Sequence, residues 1–161
     1  MKNQKINIGI VGCGNIAEKY LEQISNYQNI KLIGLTDIDI DRAKNFSDLY
    51  KCQLYDNLDK MLMDENIDLI VNLTIHHAHA EVIEKILLSE KHVYTEKPLA
   101  MSYNDAKRII DLSEKKNLRL SSAPITYMGE MQQTAYKKIN DGLLGKIRLV
   151  YAEINHDRIE N

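Results

Sequence analysis

Apolar and polar positions in this chain switch repeatedly between two periods. Lys5-Ile-Asn-Ile-Gly-Ile-Val11 is a short apolar run that ends in glycines, and it predicts a buried strand over 5–11. Ile16, Tyr20, Ile24 and Tyr27 then recur at helical spacing. Further short runs predict strands at about 30–36, 52–55, 68–74, 91–95 and 118–122. Leu69-Ile-Val and His92-Val-Tyr do not alternate, which is the pattern of strands buried on both sides. The stretches between predict helices: a second over about 39–50, a third over about 57–64, and a fourth with Val82, Ile83, Ile86 and Leu87 on one face. A fifth opens with Ser102-Tyr-Asn-Asp105, a capping box, and is expected to bury Ala106, Ile109 and Ile110. A sixth, with Met131, Ala135 and Ile139 on one side, stops at Asp141-Gly142. Strand and helix alternating with short joins predict an α/β fold, a doubly wound parallel sheet covered on both faces.

One segment falls outside that pattern. Lys146-Ile-Arg-Leu-Val-Tyr-Ala-Glu-Ile-Asn155 predicts a long strand after the sheet is complete, with Ile147, Leu149 and Tyr151 on one face and Val150, Ala152 and Ile154 on the other. A strand needs a partner, and the chain offers it no hairpin mate. The expected organisation is a nucleotide-binding domain over 1–123, a connecting helix over 124–145, and over 146–161 the first strand of a second α+β domain.

Chemistry enters at the first strand. It runs into Gly12-Cys-Gly-Asn-Ile-Ala17, a Gly-x-Gly-x-x-Ala turn that opens a helix. Gly12 permits the tight turn, Gly14 lets backbone approach a phosphate, and Ala17 lets helix pack on strand. Asn15 and Ile16 stand at the helix start, where unpaired N–H groups and the helix dipole favour an anion. Asp37 ends the second strand, where a carboxylate accepts both hydroxyls of an adenosine ribose. The plain alternatives are an ordinary turn for the glycines and a helix cap for Asp37. Arg42 is placed a turn into the second helix, facing away, so Asp37 favours NAD over NADP. Two more segments lie at the carboxyl ends of strands, the edge where doubly wound sheets bind ligands: Asn72-Leu-Thr-Ile-His-His-Ala-His79 and Tyr94-Thr-Glu-Lys-Pro-Leu-Ala100. Glu96 and Lys97 would put a carboxylate and an ammonium beside the nicotinamide end, and Pro98 turns the chain out of the strand.

Composition narrows the classes. A net charge of −2 with acids and bases mixed, and no basic block, argues against nucleic acid. No apolar run approaches the ~20 residues of a membrane span. Met1-Lys-Asn-Gln-Lys-Ile enters the first strand at once, leaving no room for a signal peptide, and the two cysteines lack metal spacing. These point to free thiols and a cytoplasmic protein. His76, His77 and His79 resemble a metal cluster, but no Cys or carboxylate is spaced to complete one, and turn or cap roles are the simpler account. Cys13 reads as a small packing residue, and Met61, Met63, Met128 and Met131 as core filler.

With these residues in order, the chain resembles the glucose–fructose oxidoreductase / inositol dehydrogenase / MocA family. The resemblance covers essentially all of 5–155 and rests on Gly12–Ala17, Thr36-Asp37, Thr74 with His79, Lys91-His-Val-Tyr-Thr-Glu-Lys-Pro-Leu99, and Asp141-Gly-Leu-Leu-Gly-Lys146. It implies a Rossmann domain in an NAD(P)-dependent oxidoreductase acting on a sugar, cyclitol or related polyol, with homo-oligomers as the expected assembly. It implies that Lys97 sits beside the reacting carbon and nicotinamide ribose as the catalytic residue. Glu96 helps hold the cofactor, together with Gly12, Gly14, Asn15, Ile16, Asp37, Thr74, His76 and His79. Where the family usually has Thr-Pro-Asn, this chain has Thr74-Ile75-His76. Family enzymes also carry a second domain that forms the substrate wall and supplies a catalytic histidine, whose motif His156 does not match. The chain therefore reads as the cofactor half of such an enzyme.

Two functions remain open at this level. One is the oxidoreductase, with Lys97 managing the hydroxyl proton. The other is a non-catalytic NAD(H)-binding module. A methyltransferase would share an acid after the second strand but leaves Glu96-Lys97-Pro98 without a role.

Overall fold

The computed structural model describes residues 5–124 and 126–153. Six strands, β1 (Ile6–Val11), β2 (Ile30–Thr36), β3 (Gln53–Leu54), β4 (Leu69–Asn72), β5 (His92–Thr95) and β6 (Leu120–Ser122), form one sheet. Its order is β3-β2-β1-β4-β5-β6 and every pairing is parallel. The helices are α1 (Ala17–Ile24), α2 (Ile40–Tyr50), α3 (Leu58–Leu62), α4 (His79–Leu88), α5 (Tyr103–Lys115) and α6 (Glu130–Asn140). This is the doubly wound order. Chain direction across the sheet reverses between β1 and β4, and that is where a crevice opens at the carboxyl ends.

Successive residues of β1 serve opposite faces. Ile8 and Ile10 pack with Ala17, Leu21 and Leu35, under α1 and α2. Val11 packs with Met61, Ile83, Ile86 and Ile109, under α3, α4 and α5. Both layers are apolar, so the strands carry no polar alternation. Helix starts follow local chemistry. Asp39 accepts from the Arg42 N–H, Asn57 from the Lys60 N–H and Ser102 from the Asp105 N–H, each satisfying a donor the helix cannot. The Ser102 hydroxyl also donates to the Asp105 carboxylate, a side-chain contact in place of the capping box's reciprocal bond to the Ser102 N–H.

Three expectations are corrected. Ile110 is 40% exposed, because α5 turns Ile109 and Ser113 to the sheet and carries its next residue round to solvent. The fourth strand ends at Asn72 rather than 74, since the Asn72 side-chain oxygen accepts from the Thr74 N–H and hydroxyl and captures donors a ladder would use. Residues 147–153 form no ladder, although a strand was expected over 146–155; they expose Leu149, Val150 and Tyr151, and no strand among the described residues pairs with them. Ile154 and Asn155 of that strand lie outside the described residues.

Contacts divide the chain into two units, 1–124 and 125–161. The first holds the whole sheet and α1 to α5. In the second, α6 leaves Met131, Tyr136 and Ile139 exposed. No helix among the described residues is long and apolar enough to cross a membrane.

Candidate functional site

The turn after β1 has a backbone only glycine accommodates. Gly12 has φ +96°, and a Cβ there would lie 2.5 Å from the Leu73 carbonyl carbon and 2.7 Å from the Thr74 nitrogen. The turn is thereby pressed against the start of the loop after β4. Gly14 is the opposite case: a Cβ would meet nothing within 4 Å, so the space over its backbone is open. The helix that follows has no side-chain cap, which it shares with α4 and α6 and which sets it apart from α2, α3 and α5. An open glycine backbone leading into an uncapped helix start fits a diphosphate, whose oxygens would accept those N–H groups. Asn15 and Ile16 are exposed at this mouth.

Asp37 is half-buried at the end of β2. Its Oδ2 accepts from the Cys13 N–H at 2.5 Å and its Oδ1 from the Asp39 N–H at 2.8 Å. It therefore binds the glycine turn to the sheet and does not cap α2; Asp39 does that. A carboxylate has acceptor sites beyond these two, so a ribose hydroxyl can still be received. Arg42, half-exposed, pairs with Asp39 at the α2 start. Its Nη2 lies 3.1 Å from Asp39 Oδ2, and its charge reaches the Cys13 thiol in the glycine turn, where it opposes an upward shift. Burial, then the Asp37 charge, push that thiol up to about 12, which leaves Cys13 an inert packing group as the sequence suggests.

Beside the turn lies a cleft of about 270 Å³. Ile16 and Leu73 supply its apolar part; Thr74, Ile75 and His76 come from the loop after β4, His79 from the start of α4, and Glu96 and Lys97 from the end of β5. Lys97 is exposed, while its backbone N–H donates to Glu96 Oε2 at 3.0 Å. The other oxygen, Oε1, accepts from the Tyr20 hydroxyl at 2.6 Å. Thr74 is half-buried and turned onto Asn72, with 2.7 Å between its hydroxyl and Asn72 Oδ1. His76 is exposed and its ring stands 4.3 Å from that of His77.

His79 lines the cleft from the core side. It is 1% exposed, with Nδ1 2.6 Å from the Pro98 carbonyl oxygen and Nε2 2.9 Å from that of Thr74. Both ring nitrogens face carbonyl oxygens, and a neutral ring donates from one of them. Its burial follows from its place on α4: His79 shares a face with Ile83 and Ile86, which turns it into the core. It clamps together the two loops that border the cleft. Among the described residues no group of three or more His, Cys, Asp or Glu could hold a metal ion.

Tyr20 is the site residue that spacing misses. On the sequence it is one more member of the α1 apolar stripe; its hydroxyl gains meaning only once β5 is known to lie two strands from β1. A larger hollow, about 360 Å³, lies beside β3 and α3 with Asp56, Lys60 and Asp64 on its walls. None of the residues predicted for the site borders it, and it sits at the sheet edge away from the crevice.

The model of an oxidoreductase family with an NAD-binding Rossmann fold matches residues 6–123. Glucose-6-phosphate 3-dehydrogenase from Bacillus subtilis is 33% identical over 114 residues, 71% of this chain and 32% of its own length. Inositol 2-dehydrogenase from Salmonella typhimurium is 28% identical over 118 residues, 71% of this chain and 35% of its own. Among solved structures, the WlbA dehydrogenase from Bordetella pertussis, in complex with NADH and UDP-GlcNAcA, shares the fold with a TM-score of 0.85 at 24% identity, over 91% of this chain and 42% of that one. The chain thus spans less than half the length of each of these relatives.

Proposed function

From a chain that belongs to the glucose–fructose oxidoreductase / inositol dehydrogenase / MocA family, we propose that residues 1–124 bind NAD(H) and form the cofactor half of an oxidoreductase acting on a sugar or cyclitol hydroxyl. The observation that carries this reading is the crevice itself. The open backbone of Gly14, the uncapped start of α1, Asp37, and the Glu96–Lys97 pair converge at the carboxyl ends of β1, β2 and β5.

Each residue has a task in this reading. Gly14 and the N–H groups at Asn15 and Ile16 receive the pyrophosphate. Asp37 accepts the adenosine ribose hydroxyls and repels a 2′-phosphate. Thr74, His76 and Glu96 border the nicotinamide ribose, with Ile16 as an apolar wall. His79 holds the flanking loops in register. When bound, the nicotinamide supplies a hydride acceptor or donor at one ring carbon. Lys97, exposed and with its backbone tied to Glu96, holds the substrate hydroxyl and handles its proton. Relatives named for a sugar phosphate and for inositol support the substrate class.

NADP is the second reading, and Arg42 favours it: the guanidinium stands at the α2 start beside Asp39 and could turn to a 2′-phosphate. Calorimetric titration of NADH and NADPH separates the two. Tighter NADH binding is expected; equal or tighter NADPH binding refutes the Asp37 assignment, and no binding of either refutes the function.

A further inference from the structure

Glu96 is held from two sides. The Tyr20 hydroxyl donates to Oε1 at 2.6 Å, and the Lys97 backbone N–H donates to Oε2 at 3.0 Å. Tyr20 belongs to α1, whose start faces the crevice, whereas Glu96 and Lys97 lie 76 and 77 residues further on, past the end of β5. The Tyr20 ring is half-buried and tilted against Tyr94 of β5, with centroids 6.1 Å apart. Its hydroxyl is thus delivered to the carboxylate by a packed ring. The phenol is pushed well above its ordinary range, by burial first and then by the bond to Glu96, so it stays protonated and donates.

We infer that Tyr20 is a positioning residue: it fixes the Glu96 carboxylate and, through it, the Lys97 backbone, tying the pyrophosphate-facing helix to the nicotinamide end of the crevice. This deepens the proposed function and rests on it wherever the cofactor is named. A free Glu96 side chain would sample several rotamers and swing into or out of the 270 Å³ cleft. A hydroxyl donated to a carboxylate is a charge-assisted bond, among the stronger side-chain contacts. The bland alternative is that Tyr20 only packs against Tyr94. Phenylalanine keeps that packing and removes the hydroxyl, with its bond to Glu96 and its interaction with the Tyr94 side chain; the Glu96→Ala background separates the two.

The test uses residues 1–161 with Tyr20→Phe, Glu96→Ala and the double variant, read in two ways. The first is NADH affinity by fluorescence. Tyr20→Phe is expected to weaken binding about 10-fold, the scale of one hydrogen bond to a charged group. In the Glu96→Ala background the same change should do nothing further. The second readout needs no cofactor: amide exchange at the Lys97 N–H by NMR, which should lose protection in Tyr20→Phe while the melting temperature falls by only a few degrees, the scale of one such bond. Equal weakening by Tyr20→Phe in both backgrounds overturns the inference, because Tyr20 would then not act through Glu96. Unchanged affinity and unchanged Lys97 exchange overturn it as well. If wild type fails to bind NADH, the proposed function falls and the exchange measurement alone decides the role of Tyr20.

Discussion

The two glycines of the turn should respond to alanine in opposite ways. At Gly12 the new Cβ would sit 2.5 and 2.6 Å from the carbon and oxygen of the Leu73 carbonyl and 2.7 Å from the Thr74 nitrogen. Those are backbone atoms, so no side chain can swing aside. The φ of +96° adds conformational strain of about 1–2 kcal/mol for an L-residue. Forcing a methyl into a packed site costs about 1–3 kcal/mol more. Together these come to about 2–5 kcal/mol, a large part of the ~5–15 kcal/mol that holds a domain folded. For a chain of this size that corresponds to a melting temperature lower by roughly 10 °C.

Gly14 has open space where the Cβ would go, and its φ is not in the left-handed region. Alanine there should stabilise by about 0.4–1 kcal/mol through the unfolded chain alone. The same methyl would occupy the place a phosphate needs. Loss of one hydrogen bond to a charged group, about 1.5–3 kcal/mol, weakens NADH binding about 10- to 150-fold. Thermal melts and NADH titration of both variants test this. A Gly14→Ala protein that binds NADH as wild type does would show that no phosphate rests on that backbone. A Gly12→Ala protein that melts with wild type would show that the turn is not pressed on Leu73.

Three further outcomes are expected. Asp37→Ala should weaken NADH binding by about 1.5–3 kcal/mol and narrow the preference over NADPH; an unchanged ratio of the two affinities would assign the discrimination to other residues. The Tyr55 hydroxyl donates to Asp64 and, with the Asn66 N–H, holds that carboxyl below its ordinary 3.8. A depressed carboxyl stabilises fully above the unfolded value and loses that contribution as pH falls through the folded one. The stability deficit of Tyr55→Phe in urea melts should therefore be full at about pH 7 and shrink below about pH 4; a deficit independent of pH would refute the linkage. Leu149, Val150 and Tyr151 are consecutive and each more than 75% exposed, a concentration of apolar surface that favours self-association. Light scattering should show residues 1–161 associating with concentration and a chain ending at Gly145 doing so less; equal behaviour would clear this segment.

How much of the site could be read from the chain depended on how far apart its parts lie. The glycine turn, Asp37 and the Glu96-Lys97 pair each sit where one strand meets one turn, and the apolar runs locate those junctions within a residue or two. Capping chemistry is equally local, which is why Ser102–Asp105 and the α2 start fall where expected. The strand expected over 146–155 shows the limit of local reading: alternating apolar residues give a segment the means to pair, but pairing needs a neighbour. His79 shows a second limit. Three histidines in four residues look alike in sequence, yet the helix beginning at His79 turns that one inward and leaves His76 and His77 in solvent.

The contacts that organise the cleft are of the remaining kind, between segments that only the strand order brings together. The sheet runs β1-β4-β5, so the loop after β4 lies between the glycine turn and Glu96. Gly12 presses on the first residues of that loop from one side. His79 ties its Thr74 to Pro98 on the other, and Tyr20 reaches from α1 to Glu96. Each of these three contacts ends on a backbone atom or a carboxylate, groups that every chain has in quantity, so no residue type marks the far partner. A reader of the sequence can name the groups that would face a dinucleotide. The groups that hold those in place emerge only when strand order is added, and Tyr20 is the instance where that difference can be measured.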